Sequence, residues 1–204
     1  WLLKLVLPYR YGRWLTGFLL FGVLCPFFYL GVVDESQDST PALFFSIIIA
    51  YIIPIFSFIT AKSREALLEL RGLLNDQAFQ RAMSRLDSSS LSRMTATLVV
   101  GGLLGFIHMS FVRGSSAALF EELFINTERF MSTLGALLVW VVMTSVIFAL
   151  IQQAVVFARL GAKNVNVALL NTRRLLPFAR VSIYSSLAII GAVALFPLIG
   201  IESG

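Results

Sequence analysis

Charged residues are scarce in this sequence: Asp, Glu, Lys and Arg make up 13% of its 204 residues, against about 25% in a typical soluble domain. Apolar residues make up 58% of the chain, and the mean hydropathy is +0.86. A soluble protein of this length has too little interior to bury so much apolar surface. The composition therefore excludes an ordinary soluble domain and indicates a protein that uses lipid as part of its solvent.

The side chains of metal and nucleophile chemistry are also scarce. One histidine and one cysteine, Cys25, cannot form a His/Cys metal site or an internal disulfide. The HExxH, CxxC, Walker and GxSxG motifs are absent. The acidic residues lie in loops or at the ends of apolar stretches, whereas ion-driven transporters place ionisable groups in the middle of the membrane. We therefore expect no enzymatic activity and no cofactor.

What the sequence does contain is five apolar stretches, each long enough to cross a hydrocarbon core of about 30 Å as a helix. They are predicted at about 14–33, 42–61, 94–112, 130–157 and 181–199. The predicted fold class is all-α: a polytopic transmembrane helical bundle of five spans with short amphipathic interfacial helices. Residues 1–204 are expected to form a single membrane domain.

The basic residues are sorted to one side of these spans. If the chain enters from the cytoplasm, fourteen of the sixteen Lys and Arg lie on that side, and only Arg113 and Arg129 lie on the other. Because Lys and Arg in short loops stay on the cytoplasmic face, we predict an N-in, C-out orientation. Cations at span ends are typical of contact with anionic lipid headgroups and not of nucleic-acid binding. The predicted location is a bacterial cytoplasmic (inner) membrane.

The two basic loops, at about 62–93 and 158–180, also carry apolar residues at helical spacing. Short helices lying at the membrane surface are predicted in the first of them and around Leu119 on the opposite side. The apolar side chains of the first loop must be covered by lipid, by the base of the bundle or by a partner protein. The candidate docking residues are Leu67, Leu70, Arg71, Leu74, Phe79, Met83, Arg173 and Arg174.

Small residues on two spans predict close helix packing, because they let backbones approach each other. The third span holds Gly101, Gly102 and Gly105, of which the first and last form a GxxxG motif. The fifth span has a similar face, with Ser182, Ser186 and Gly191. Such faces pack either within one bundle or against another subunit, and the second possibility would give a homo-oligomer.

Three polar residues within the predicted spans are candidate functional groups. His108 lies near the outer end of the third span. Because histidine titrates near neutral pH, one hypothesis is that His108 senses external pH, and the alternative is a hydrogen bond to a neighbouring helix or to interfacial water. Gln152 and Gln153 lie near the inner end of the fourth span, where they either bond across helices or contact cytoplasmic water.

Two functional classes fit these features. The first is a non-enzymatic membrane protein that works through a partner, as a sensory or regulatory input domain or as an accessory subunit of a membrane complex. The alternative is a channel or transporter subunit that conducts as an oligomer, with Pro26, Pro54 and Pro197 as hinges. A sixth span beyond Gly204 would return the chain to the cytoplasm, and an output domain there would favour the sensory class. No motif assigns the chain to a named family.

Overall fold

The computed structural model describes residues 2–8, 11–29, 40–87, 91–125, 127–163 and 176–195. Within these ranges every regular element is a helix and no strand occurs, so the prediction of an all-α fold is confirmed. Five of the helices are long and apolar enough to cross a membrane, as the sequence predicts. The predicted ends of the first and fifth spans, at 30–33 and 196–199, lie outside the described residues.

The helices follow the order of the apolar stretches. In chain order the elements are a 3-10 helix at Leu2–Leu5, α1 at Gly12–Tyr29, α2 at Thr40–Glu69, a 3-10 turn at Arg71–Leu73, α3 at Asp76–Asp87, α4 at Leu91–Val112, α5 at Ser116–Phe124, α6 at Thr127–Lys163 and α7 at Leu176–Val193. The long apolar helices are α1, α2, α4, α6 and α7. Short helices also form where amphipathic segments are predicted, at α3 and α5.

Two long helices continue well beyond the predicted spans. α2 ends at Glu69, about two turns after the predicted limit at residue 61, and α6 continues to Lys163. The first turns of the predicted basic loop are thus a continuation of α2 and not a separate interfacial helix. The physical reason is that hydropathy marks where apolar residues stop, whereas Glu, Leu, Lys and Arg continue a helix without a break.

α2 and α6 pack against each other at the centre of the bundle. α1 and α7 flank α2, α4 packs on α6, and α5 contacts both α4 and α6. Half of the apolar window of α2 is buried inside the protein, whereas 22% of the α4 window and 17% of the α1 and α7 windows are buried. The three outer helices therefore direct most of their apolar side chains away from the bundle.

One apolar core, which we term the span core, lies among α1, α2 and α6. It is built mainly from Ile and Phe side chains on α2, with Val side chains on α6 facing them. Its buried residues are Leu2, Phe28, Ala42, Phe44, Ile48, Ile49, Ile52, Ile53, Phe56, Val139, Val142 and Val146.

A second core, which we term the basal core, lies where α2 and α6 end and α7 begins. α3 folds back so that its apolar side completes this core, because α3 is the most strongly amphipathic of the helices. The buried residues of the basal core are Ala66, Leu67, Leu70, Ala78, Phe79, Ala82, Val156, Phe157, Leu160 and Val181. We call this the basic end of the bundle, since it carries Arg13, Lys62, Arg64, Arg71, Arg81, Arg85, Arg93, Arg159 and Arg180.

Pro54 lies inside α2 without ending it. Proline has no N–H, so the carbonyl of Ala50 loses its normal helical donor at this point. Gly17 of α1 lies directly over the site: a Cβ there would be 3.1 Å from the Ala50 carbonyl oxygen and 3.3 Å from Cγ of Pro54. The lack of a side chain at Gly17 thus lets α1 cover the carbonyl that Pro54 leaves without a donor.

Candidate functional site at the basic end of the bundle

Three buried polar side chains join α2 to α6 just above the basal core. The Ser63 hydroxyl donates to Oε1 of Gln153 at 3.1 Å, and Nε2 of Gln153 donates to Oγ1 of Thr60 at 3.1 Å. All three residues are buried, with Ser63 fully so. The amide thus uses its oxygen as acceptor and its NH2 group as donor, so these buried groups have hydrogen-bond partners. We term this set the polar clamp, and its bonds fix the register of the two helices.

The neighbouring residue Gln152 reaches a different helix. Its Nε2 donates to the backbone carbonyl of Arg85 at 3.0 Å, which ties α6 to the last turn of α3. Successive residues on a helix point about 100° apart, so Gln152 and Gln153 necessarily face different neighbours. Of the two alternatives that the sequence leaves open for these glutamines, the structure shows bonds across helices.

α3 begins at a helix cap and is held against the basal core by its apolar side. The side-chain oxygen of Asn75 accepts the backbone N–H of Ala78 at 2.7 Å, which is the usual bond of an N-cap residue. The Arg71 guanidinium lies over the ring of Phe79, 5.4 Å from its centroid. The cap sets where α3 starts and so directs its apolar side towards α6.

The apolar residues predicted to form a docking surface are placed inside the chain's own base. Leu67, Leu70 and Phe79 are buried in the basal core, and Leu74 and Met83 pack partly buried against it. Of the three possible coverings, the structure shows the base of the bundle, and contact of these residues with a partner stays a prediction. Of the basic residues predicted with them, Arg71 is exposed. Arg173 and Arg174 lie outside the described residues.

Ion pairs between described residues lie on the surface around the basal core. Nη1 of Arg180 is 3.1 Å from Oε1 of Glu69, which joins the first turn of α7 to the end of α2. Nζ of Lys62 is 2.6 Å from Oε2 of Glu65, one turn along α2. Exposed pairs of this kind contribute little to stability, because solvent screens the two charges. Of these two pairs, Arg180–Glu69 is the one that joins α7 to α2.

The predicted glycine motif lies between α4 and α6. A Cβ on Gly101 would be 2.8 Å from Cα of Val141, and one on Gly105 would be 3.1 Å from Cβ of Trp140. No other atom is within 4 Å of the corresponding position on Gly102. The GxxxG pair thus faces a helix of the same chain, and Gly102 lies on the other side of α4.

The small residues predicted to form one face of the fifth span also lie on different sides of their helix. At Gly191 the Tyr51 hydroxyl occupies the space that a Cβ would need, so α7 approaches α2 closely there. The same hydroxyl is 3.4 Å from the carbonyl oxygen of Ala188. Ser182 and Ser186 are exposed on the other side of α7.

His108 lies on the exposed side of α4, next to α6. Its ring centroid is 5.2 Å from that of Trp140, and the two ring planes are inclined at 50°. This contact places the imidazole against an aromatic side chain of a neighbouring helix. Sensing of pH by His108 stays a prediction.

The sequence reasoning missed Thr60 and Ser63. The available signal is their spacing: two hydroxyl residues three positions apart lie on one helix face, at the end of an apolar stretch. A hydroxyl pair at that position in a helix favours a polar partner on the facing helix. Nothing in the sequence identifies that partner as Gln153 of α6.

Among the described residues, no group of three or more His, Cys, Asp or Glu side chains is placed to hold a metal ion. No family model, curated protein or solved structure matches the chain. The polar clamp, the basal core and the surrounding cations together form the candidate functional site.

Proposed function

We propose that this chain is a non-enzymatic integral membrane protein that works through a partner protein, as a sensory or regulatory input domain or as an accessory subunit of a membrane complex. The observation that carries the proposal is the construction of the basic end. The two central helices continue past the length of a bilayer without interruption, and the clamp and the basal core fasten them together there.

The lengths of α2 and α6 support this proposal. With 30 and 37 residues, they are about 45 and 55 Å long at about 1.5 Å per residue, whereas the hydrocarbon core is about 30 Å thick. A tilt or rotation of either helix within the membrane therefore moves its end outside the membrane, since no flexible linker separates the two parts. Because the clamp joins both helices, the movement reaches α3 through the basal core and through Gln152.

The same end is the part of the molecule that we propose to lie in the cytoplasm. Basic residues of α1, α2, α3, α4, α6 and α7 meet there in the fold, whereas Arg113 lies at the other end, beside α5. Positive residues concentrate on the cytoplasmic side of membrane proteins, so the proposed orientation is N-in, C-out in a bacterial inner membrane. The exposed cations Arg71 and Arg81 then face the cytoplasm, where an acidic surface of a partner would complement them.

Site-specific photocrosslinking in native membranes tests the proposal. A photoreactive residue is introduced at Arg71 or Arg81, at the basic end, and in matched variants at Phe111 or Phe124, which are exposed near the other end. We expect a discrete crosslinked protein from the basic-end positions, and a product of twice the 22.6 kDa chain mass if the partner is a second copy. Absence of any protein crosslink at the basic end, in membranes where the chain is folded, would contradict the proposal.

A flux assay addresses the alternative of a channel or transporter subunit. The purified chain is reconstituted into liposomes, and the release of ions and of small solutes is compared with that from protein-free liposomes. Working through a partner predicts equal release from both preparations. Release that rises with protein content and depends on oligomer formation would replace the proposal by the alternative.

A further inference from the structure

A cleft of about 410 Å³ opens at the basic end, between the N-terminal 3-10 helix, the first turn of α1 and the last turns of α2. Its polar lining consists of two arginines, two hydroxyl residues and one carboxylate: Arg13, Arg64, Ser57, Thr60 and Glu65. Apolar side chains, Leu68 among them, complete the wall. The cleft therefore combines cations, hydroxyl groups and apolar surface in one open cavity.

The continuation of α2 explains why these residues meet. Ser57, Thr60, Arg64 and Leu68 recur at intervals of three or four positions, so an unbroken helix places them on one face. A helix that ended at the predicted limit of the span would not place Arg64 on that face. From the other side Arg13, the second residue of α1, lies with its guanidinium carbon 5.9 Å from the centroid of the Phe58 ring.

The charge balance of the cleft is positive. Its one carboxylate, Glu65, is paired with Lys62 at 2.6 Å, so that charge is compensated locally. The lining thus holds two guanidinium groups, those of Arg13 and Arg64, and one carboxylate, so its formal charge is positive. Guanidinium groups match the geometry of phosphate oxygens and bind them through two parallel hydrogen bonds.

The position of the cleft along the bundle matches the headgroup layer. Arg13 directly precedes the first predicted span, and Arg64 lies three residues after the predicted end of the second, at residue 61. Cations at span ends lie at the level of the lipid phosphates. Trp14 and Phe18, the exposed residues that follow Arg13 on α1, continue as apolar surface towards the middle of the span.

We propose that this cleft binds the phosphate of an anionic membrane lipid, with Arg13 and Arg64 as the phosphate ligands and with Ser57 and Thr60 as hydroxyl donors. The proposal rests on the proposed membrane location and not on the existence of a protein partner. A free phosphate ion has the same chemistry at the arginines, but it leaves the apolar part of the lining without a role. Because Thr60 also belongs to the polar clamp, an occupant of the cleft contacts the joint between α2 and α6.

The test measures lipid binding to the purified chain in a zwitterionic detergent. Phosphatidylglycerol or phosphatidylcholine is added, and bound lipid is counted by native mass spectrometry while the melting temperature is followed. Parallel samples receive inorganic phosphate or glycerol phosphate. We expect saturable binding of one phosphatidylglycerol with a rise in melting temperature, and neither effect from phosphatidylcholine or from the soluble phosphates.

Charge-matched variants locate the binding site. Each of Arg13→Gln and Arg64→Gln is expected to weaken phosphatidylglycerol binding by about tenfold, since each removes a charge-assisted hydrogen bond. The control variants Arg71→Gln and Arg81→Gln remove the same charge from the basic end outside the cleft, and we expect binding within about threefold of the wild type because distant charges are screened. Arg64→Lys, which keeps the charge but not the paired bonds, should fall between wild type and Arg64→Gln.

Three outcomes would overturn the proposal. Equal losses from the cleft and control variants would show general attraction between charges and no site. Equal binding of the two lipids would exclude recognition of an anionic headgroup. A full, saturable rise in melting temperature with inorganic phosphate alone would assign the cleft to a soluble anion. Arg64 is exposed, so Arg64→Gln keeps the test valid if Arg13→Gln fails to fold.

Discussion

The span core and the basal core contain equally buried side chains, but the two cores are surrounded by different solvents. Ile48 in the span core and Leu67 in the basal core are both fully buried. Outside the span core, the Ile48 side chain would contact lipid, which is as apolar as the core itself. Its burial therefore adds packing contacts but little hydrophobic free energy. Outside the basal core, the Leu67 side chain would contact water at the proposed cytoplasmic face. Its burial therefore contributes the full free energy of removing apolar surface from water. Equal burial therefore does not mean equal stabilisation in the two halves of this molecule.

Truncation of one side chain in each core gives the largest expected effect. Leu67→Ala should lower the free energy of unfolding by about 2–5 kcal/mol, and Ile48→Ala by clearly less. Both variants lose a buried side chain, but outside the core the Leu67 side chain would contact water and the Ile48 side chain would contact lipid. Reversible unfolding in bicelles measures both values. The adjacent exposed residue gives the control Leu68→Ala, expected within about 0.5 kcal/mol of wild type. A cost for Ile48→Ala equal to that for Leu67→Ala would break the comparison.

Adding a side chain at the contact between α4 and α6 tests how closely these two helices approach each other. Gly101→Ala places a methyl group 2.8 Å from the backbone of α6, and we expect a loss of about 1–3 kcal/mol. Gly102→Ala, one residue away on the open side of α4, is the matched control and should leave stability unchanged or slightly raised, because alanine favours the helix. The melting temperatures of both variants in one detergent decide the point. Equal effects at the two glycines would show that α4 does not approach α6 as described.

Removal of the clamp amide tests how far polar contacts fasten the basic end. Gln153→Leu keeps the approximate volume but leaves Thr60 and Ser63 without the amide, and we expect a loss of about 1–2 kcal/mol. Gln152→Leu removes one bond at a less buried position and should cost about 0.5 kcal/mol. Chemical unfolding of the two variants under one condition ranks them. A reversed ranking would mean that the tie to α3 stabilises the basic end more than the clamp does.

The smallest expected effect concerns the exposed ion pair at the start of α7. A double-mutant cycle of Arg180→Gln and Glu69→Gln should give a coupling below about 1 kcal/mol, because both side chains remain in contact with solvent. This coupling should fall as salt is added, whereas the cost of Ile48→Ala should not. A coupling that persists in high salt would indicate that α7 excludes water from this pair.

The sequence predicts the spans of this protein better than their arrangement. The length of the apolar stretches is enough to find five helices, and the amphipathic spacing is enough to find α3. A helix in contact with lipid has a continuous apolar sequence, whereas a helix in contact with water on one side has apolar residues at helical spacing. Helices α2 and α4 are both mainly apolar and neither is strongly amphipathic, yet one is central and the other peripheral. Burial cannot be inferred from apolarity when the surrounding solvent is itself apolar.

The site shows the same limit at the level of single residues. The GxxxG spacing predicts a close approach at Gly101, and the structure adds which helix is approached. Gln152 and Gln153 are neighbouring residues of the same type, so the sequence does not distinguish their partners. The orientation of α6 about its own axis decides that Gln152 faces α3 and Gln153 faces α2. The cleft joins Arg13 to Arg64 across two helices, and no local pattern links residues so far apart in the chain.

The contact between Gly17 and the carbonyl of Ala50 bears on how the protein enters the membrane. A backbone carbonyl without a donor is costly in lipid unless a neighbouring helix covers it. Here the covering helix is α1, the helix that precedes α2 in the chain. The cover for this carbonyl thus comes from the first two long helices alone, and the pair does not need α6 or α7 for it when it enters the bilayer.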